Sequence, residues 1–476
     1  LVPIENASMP DRTVIQWDKE DLEAMHILKV DVLALGMLTA VRRALDLVRS
    51  YDPSFRGLQD IPREDPATYD MLCRAETVGV FQIESRAQRA MLPRLQPRTF
   101  YDLVIQIAIV RPGPIQGNMV HPYLKRRSGI EPIRYPNAAV EEVLRATLGV
   151  PLFQEQVMRL AMVGASFTGG EADQLRRAMT NWGKNSKLLS FRDRLIEGFL
   201  KNGYSQEFAD NMFEQIKGFG GYGFPESHSA SFALIAYASA WLKRHHPAAF
   251  YCAILNSQPM GFYHPYQLIQ DAQRSGVPVL PVDINKSIYD NSLERNSKDT
   301  LCIRLGFREI RSLEKDKAKT IEMARQNQPF TSINELAKRT GLSKADLQLL
   351  ASADALKAIT GNRHEALWQT AAVKPVAELL ARAEMQMRDD LLTLPPTEEK
   401  ELLNDFAALG HTLRAHPMSF LRSERPFNNC TLSRDLVNRR SGSFIQVAGL
   451  VTTKQRPETA SGALFITLED EAGDIN

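Results

Sequence analysis

The sequence predicts a multidomain α+β chain, mainly α-helical, that ends on the first strands of a small β-barrel. Three observations carry that expectation. The chain has 476 residues, 44% hydrophobic, 24% charged and 8% aromatic. This is ordinary globular usage, which excludes a disordered or collagen-like polymer, and the length predicts roughly two to four domains. Apolar residues recur at helical spacing through most of the first 370 positions. From Phe444 the pattern changes to strand-like apolar runs.

Charge and cysteine usage narrow the class. Lys and Arg number 58, Asp and Glu 56, a net of +2. A globally basic nucleic-acid coat is excluded, whereas a nucleic-acid enzyme with charge sorted into patches is not. Cys73, Cys252, Cys302 and Cys430 lie far apart with no CxxC pair. Neither a disulfide framework nor a zinc ribbon is expected, which fits a reducing, cytoplasmic location. No apolar run reaches about 18 residues, so no membrane span is expected. The start, Leu-Val-Pro-Ile-Glu-Asn, lacks Met and the build of a secretory leader. Both ends read as cut, as in a piece of a longer protein.

The elements follow in order. Residues 1–35 begin as loop, start a helix at Trp17–Glu23, and continue into the short apolar run Ile27–Leu35, which Lys29 and Asp31 interrupt. Gly36–Ser50 turns helical. Residues 51–285 read as helices joined by loops. Phe153–Met162 places Val157, Leu160 and Ala161 on one face. Phe208–Lys217 ends in glycines, and Ser231–His245 is mostly apolar with Lys243 and Arg244 at its cationic end. Residues 286–370 hold short helices, Glu314–Arg325, Ser332–Arg339 and Ser343–Ala351, with Ser343 as N-cap. Residues 371–410 carry eight acids against four cations, the pattern of a linker or an exposed helix. Phe444–Val451 and Leu464–Asp470 then read as strands around the turn-rich Arg456–Gly462.

Several motifs have plain structural readings. Gly218-Phe-Gly-Gly-Tyr-Gly223 matches G-x-G-x-x-G, but a helix precedes it, and cations stand where a dinucleotide site needs an acid. It reads as a helix stop and tight turn, which disfavours an NAD-linked enzyme. His245 and His246 are adjacent on a helix and share no face, so they read as a solvated helix end. Glu141 and Glu142 read as a helix face.

Other residues have a chemical reading beside a plain one. Asp31 sits in an apolar run, where it is either a metal ligand or an outward-facing acid on an alternating strand; Lys29 shares its face. Arg176 and Arg177 suit bidentate phosphate contacts, with Gly169 and Gly170 leaving the helix N-terminus open to an anion and Lys184 and Lys187 following; the plain reading is a solvated helix face. Arg111-Pro-Gly-Pro114 is a rigid turn carrying a cation, either a phosphate clamp or a surface turn. Gly221–Ala230 combines Tyr222, Ser227 and His228, either a base-stacking and phosphate-contacting segment or an aromatic hinge. Residues 101–250 hold 17 Lys and Arg against 13 Asp and Glu, so positive charge is concentrated here.

The motifs Lys29-Val-Asp-Val-Leu-Ala-Leu-Gly36, Gly79-Val-Phe-Gln-Ile-Glu-Ser85, Arg111-Pro-Gly-Pro114, Phe153-Gln-Glu-Gln-Val157, Leu175-Arg-Arg-Ala-Met179 and Gly221-Tyr-Gly-Phe-Pro-Glu-Ser-His228 occur in this order. In that order they resemble the bacterial C-family DNA polymerases, the alpha subunits of DNA polymerase III, over essentially the whole chain. Phe224-Pro-Glu-Ser-His228 with Asn256-Ser-Gln-Pro-Met-Gly-Phe-Tyr263 resembles the error-prone, damage-inducible branch. Replicative members usually carry Asn-Lys at Pro225-Glu226, so a cation near the nucleotide is lost.

The resemblance implies the rest. Residues 1–35 would be the C-terminal part of a palm, 36–285 the α-helical fingers, 286–370 a tandem helix-hairpin-helix module, 371–440 an acidic linker and 441–476 the start of a truncated OB-fold. Asp31 would be a catalytic metal ligand in a two-metal Mg²⁺ site completed by residues outside this chain. Lys29, Arg111, Arg176, Arg177, Ser227 and His228 would bind the nucleotide; Lys184, Lys187 and Tyr222 would bind DNA. The activity implied is template-directed addition of dNMP to a primer 3′ end in damage tolerance and translesion synthesis. The chain alone is expected to be inactive. Primer-template DNA and dNTPs would be partners, with a sliding clamp reached through an accessory translesion protein; Gln386–Leu392 only poorly matches a clamp-binding motif. The first hairpin, Arg311–Lys317, lacks the usual glycines. A replicative alpha subunit and a non-catalytic nucleic-acid-binding protein are the alternative readings.

Overall fold

Small residues shape the centre of the structure. In the helix Glu226–His245, Ala233, Ala236, Ser239 and Ala240 are buried. They let the helix Phe100–Ile109 lie closely along it. That second helix is buried from Asp102 through Ile109, and apart from Asp102 and Gln106 that stretch is apolar, as suits a core helix. Thr99 and Asp102 close its N-terminus reciprocally: the Asp102 N–H donates to Thr99 Oγ1 at 3.3 Å, and the Thr99 N–H to Asp102 Oδ2 at 3.0 Å. Pro247–Asn256 is buried except at Pro247 and packs on Leu35–Tyr51.

This computed structural model describes residues 2–8, 12–25, 27, 34–111, 114–115, 119–180, 187–218, 225–260, 263–326, 328–373, 395–456 and 464–475. Most helices match their expected spans. Leu35–Tyr51, Gln154–Ala165, Gln206–Gly218, Lys315–Arg325 and Ile333–Thr340 appear where the apolar spacing places them. Ser343 caps Lys344–Ser352, its Oγ accepting the Asp346 N–H at 3.2 Å. The N-terminal segment differs from its loop expectation. Ile4–Asn6 and Thr13–Ile15 pair antiparallel, with Ile4 opposite Ile15. All six residues are exposed, so burial periodicity gave no signal. Residues 28–33 of the Ile27–Leu35 run lie outside the described residues.

A small sheet joins the helical body to the next module. Val279–Leu280 runs parallel to Leu301–Arg304, which pairs antiparallel with Ser292–Arg295. The sheet therefore straddles the expected boundary at 285/286. Beside it, Asn256 and Asn291 exchange amide hydrogen bonds: Asn256 Nδ2 donates to the Asn291 carbonyl, and the Asn291 N–H to Asn256 Oδ1, both at 2.8 Å. Asn291 also accepts the Gly306 N–H and donates to Glu309 Oε1, each at 2.8 Å. A side chain at Gly306 would place its Cβ 2.4 Å from the Tyr289 carbonyl oxygen, so only glycine fits. In the first hairpin Ser312 takes the left-handed conformation, φ 66°, where glycine is favoured.

The acidic stretch corrects its expectation as linker or exposed helix. Glu398–Ala408 is a helix whose Glu401 and Asp405 are buried. Arg363, 1% exposed, donates to the Glu401 carbonyl at 3.0 Å, pairs with Glu401 Oε2 at 2.9 Å and pairs with Asp405. Arg414 also meets both acids, at 2.7 and 3.2 Å. Residues 374–394, including the Gln386–Leu392 segment, lie outside the described residues.

At the C-terminal end, Leu450–Gln455, Phe465–Glu469 and Asp474–Ile475 form an antiparallel sheet. The strand starts at Leu450 rather than Phe444, and no closed barrel is present among the described residues. Arg274 reaches this sheet from the helical body, its Nη2 lying 3.2 Å from Glu469 Oε1.

Two outcomes test this packing. Arg363→Met leaves Arg414 as the remaining cation on two buried carboxylates and is expected to cost about 1.5–3 kcal/mol, read as a lower urea midpoint; a loss below about 1 kcal/mol would contradict the network's role. Burial raises the Glu469 pKa from 4.5 to about 7, with Arg274 opposing. Between those values the folded protein holds a proton that the unfolded chain has released. Its contribution is full below 4.5 and is lost as pH rises through about 7. Glu469→Gln should flatten that part of the stability–pH profile; an unchanged slope would reject the assignment.

Candidate functional site

Pro225 sets the start of the Glu226–His245 helix. It holds an extended backbone (φ −73°, ψ 138°) and offers no side-chain cap. The cap comes from elsewhere: the Glu226 N–H donates to Glu155 Oε2 at 3.0 Å. Tyr101 Oη donates to Glu226 Oε1 at 2.7 Å. Ser227 is exposed in the first turn. His228 is half-buried, its ring centroid 4.0 Å from that of Phe232, which sits edge-on to Phe81 at 5.1 Å.

Arg111 follows the core helix Phe100–Ile109, its Nε donating to the Ile107 carbonyl at 3.3 Å. Burial first, and the Arg111 charge second, press the His228 pKa below 6.5. The imidazole is therefore neutral near pH 7, a hydrogen-bonding group rather than a cation. Arg111 and His228, 117 positions apart in sequence, thus share one electrostatic environment.

Arg176 and Arg177 occupy the helix Gly169–Thr180. One carboxylate holds both: Arg176 Nη2 lies 2.9 Å from Asp173 Oδ1, and Arg177 Nε 2.8 Å from Oδ2. The Arg176 hydrogen bond is the main cause that holds the Asp173 carboxyl below its usual range. Arg176 is 38% exposed and Arg177 72%. The expected open helix N-terminus is corrected. Gly169 and Gly170 lie inside the helix, and Glu171 sits at its start, accepting the Thr168 N–H at 2.7 Å and donating its own N–H to Thr168 Oγ1 at 3.3 Å. That start carries a carboxylate already.

The helix Gln154–Ala165 supports both groups. It packs on Gly169–Thr180 and carries Glu155 to the start of Glu226–His245. Lys29, Asp31, Lys184 and Tyr222 lie outside the described residues. Lys187 begins the helix Lys187–Lys201. The helix end at His245 is exposed, as expected, but both rings are partnered: His245 Nε2 lies 2.8 Å from Asp65 Oδ2, and the half-buried His246 places Nδ1 3.0 Å from Tyr51 Oη.

Three residues escaped the sequence reading. Asp173 was legible, since it stands three and four positions before the two arginines, within reach on one helix face. Glu155 and Tyr101 act across 71 and 125 positions, a distance that no local pattern reports.

Comparison with known proteins extends this geometry. Residues 37–203 match the bacterial DNA polymerase III alpha subunit finger domain, residues 1–34 the bacterial DNA polymerase III alpha NTPase domain, and residues 276–366 a helix-hairpin-helix motif. The chain is 63% identical over 478 residues to a protein of Teredinibacter turnerae named error-prone DNA polymerase, covering all of this chain and 46% of that protein. Proteins of the same name from Saccharophagus degradans and Pseudomonas aeruginosa are 60% and 56% identical, again over all of this chain and 47% and 46% of theirs. The chain spans about half the length of the curated relatives it matches. The chain is thus similar at its N-terminal segment and fingers to bacterial DNA polymerase III alpha subunits, and along its whole length to proteins named error-prone DNA polymerase.

Proposed function

We propose that this chain is the finger-centred part of an error-prone DNA-directed DNA polymerase. The whole protein adds deoxynucleotides to a primer 3′ end during damage tolerance and translesion synthesis. One observation carries the reading: Arg111 and His228 converge at the start of the Glu226–His245 helix, and the helix that caps this start also packs on the Arg176–Arg177 helix. A cation beside one polar helix start, with a second cationic helix braced by the same support, suits a polyphosphate.

The roles follow from charge and exposure. Arg111, Arg176 and Arg177 neutralise the triphosphate. Neutral His228 and the Ser227 hydroxyl donate to its oxygens. Residues 1–35 form the palm edge, 36–285 the fingers, 286–370 the helix-hairpin-helix module that holds the duplex backbone, and 441–476 the start of an OB-fold. Lys29 would bind the nucleotide, and Lys184, Lys187 and Tyr222 would bind DNA. A sliding clamp is reached through an accessory translesion protein, and the polymerase works in the cytoplasm. No helix among the described residues is long and apolar enough to cross a membrane.

Two Mg²⁺ ions would stabilise the attacking and leaving oxygens, with Asp31 as the ligand from this chain. Among the described residues no group of three or more His, Cys, Asp or Glu can hold a metal. The described residues alone do not fit the ions.

Primer extension by the whole polymerase tests the reading. Arg111→Ala removes a charge-assisted contact of about 1.5–3 kcal/mol and should raise the KM for dNTP roughly 10–100-fold, with primer-template affinity kept. Asp31→Ala should abolish extension with DNA binding retained; an unchanged rate would favour a non-catalytic DNA-binding role for this segment. Glu226→Lys should lower misincorporation several-fold, and unchanged fidelity would remove Glu226 from nucleotide selection.

A further inference from the structure

Neighbouring residues of Phe153–Val157 face opposite ways. Gln156 is buried and fully engaged. Its Oε1 accepts the N–H groups of Leu152 and Phe153 at 2.8 and 3.2 Å, and its Nε2 donates to Thr147 Oγ1 at 2.8 Å and the Val143 carbonyl at 3.2 Å. Glu155 beside it is exposed, and its carboxylate reaches the first N–H of the Glu226–His245 helix. Pro225 gives that helix no cap of its own. Tyr101, from the core helix, fixes the Glu226 carboxylate. Three helices therefore meet at the residue just before Ser227 and His228.

A helix start with unsatisfied N–H groups is free to fray over its first turn. Ser227 and His228 lie in that turn. Tyr101 stands on a buried helix, and Glu155 on one whose start Gln156 holds by accepting the Phe153 N–H.

We infer that Glu155 and Tyr101 are positioning residues, which hold the first turn of the Glu226–His245 helix so that Ser227 and His228 meet the incoming deoxynucleoside triphosphate already aligned. The inference rests on the nucleotide reading of that turn given above. It assigns a function to the Glu155 position of a sequence motif that otherwise packs inward.

The test is single-nucleotide incorporation on a primer-template by the whole polymerase, with dNTP KM, kcat, primer-template Kd and thermal midpoint measured together. Glu155→Ala should raise the dNTP KM roughly tenfold, the scale of a lost cap, at unchanged DNA Kd. Glu155→Gln keeps an oxygen that accepts the Glu226 N–H and should return the KM to within about twofold of the parent. Tyr101→Phe should raise it about threefold. The inference is overturned if Glu155→Ala leaves the KM unchanged, if DNA Kd rises by the same factor, or if Gln is as impaired as Ala. His228→Ala separates the two levels. If it raises the KM while Glu155→Ala does not, the positioning role fails and the nucleotide reading stands; if neither moves the KM, both fail. Should Glu155→Ala not fold, Tyr101→Phe, which loses one hydroxyl, decides on the same readout.

Discussion

The pairing of Asn256 with Asn291 fixes how the helical body meets the module that follows. The Asn256 side-chain amide uses both its donor and its acceptor on the backbone of Asn291, so a shift of either segment breaks two bonds at once. Burial makes that loss costly, because an unpaired amide in this interior has no water to replace its partner. The pairing extends on both sides. Arg308 donates to the Asn256 carbonyl at 2.7 Å, and Arg43 donates to the same oxygen. Gly306 closes the other side, where any side chain would meet the backbone at Tyr289 and Asp290. The junction is therefore a specified geometry rather than a flexible tether, and the sheet that crosses it follows from that.

Buried charge plays the same part elsewhere. Lys243, 4% exposed, places its Nζ 2.7 Å from Asp271 and 2.8 Å from the Val78 carbonyl. Burial presses its pKa down, and Asp271 opposes that. Tyr251 donates to the same carboxylate oxygen. Such pairs recover their desolvation cost only in good geometry, so they select an arrangement more than they add net stability. Arg363 follows the same logic with a planar fork. Its fixed donor directions set the relation between Arg363–Ala372 and Glu398–Ala408 as aliphatic packing would not.

Local pattern made much of the helical framework legible, and long-range pairing hid the rest. Leu35–Tyr51, Gln154–Ala165 and the Ser343 cap were readable because one face or one capping residue decides them. Glu398–Ala408 was misread because its acids look solvated until Arg363, 38 positions away, is known to face them. The strand at Leu450 was placed too early because Phe444–Ala448 has the composition of a strand but no partner strand in the described structure. The site divides in the same way. Arg111, Arg176, Arg177, Ser227 and His228 were visible as residue types in motifs. The support that the helices of Arg176–Arg177 and Ser227–His228 share on Gln154–Ala165 depends on contacts across the fold and has no local signal.

Asp173 changes what the arginine pair can do. Two guanidinium groups on one helix repel each other and, if free, would sample separate rotamers. Shared by one carboxylate, they are held close at a joint charge nearer +1 than +2. An arriving anion must compete with Asp173 for the same donors. A singly charged anion gains little in that exchange, since it offers no more charge than the carboxylate that it displaces. A triphosphate offers several charges and more acceptor oxygens, so it can engage both arginines while Asp173 retains a bond to one. Under the proposed function, the internal carboxylate thus acts as a threshold. It favours a polyphosphate over smaller anions.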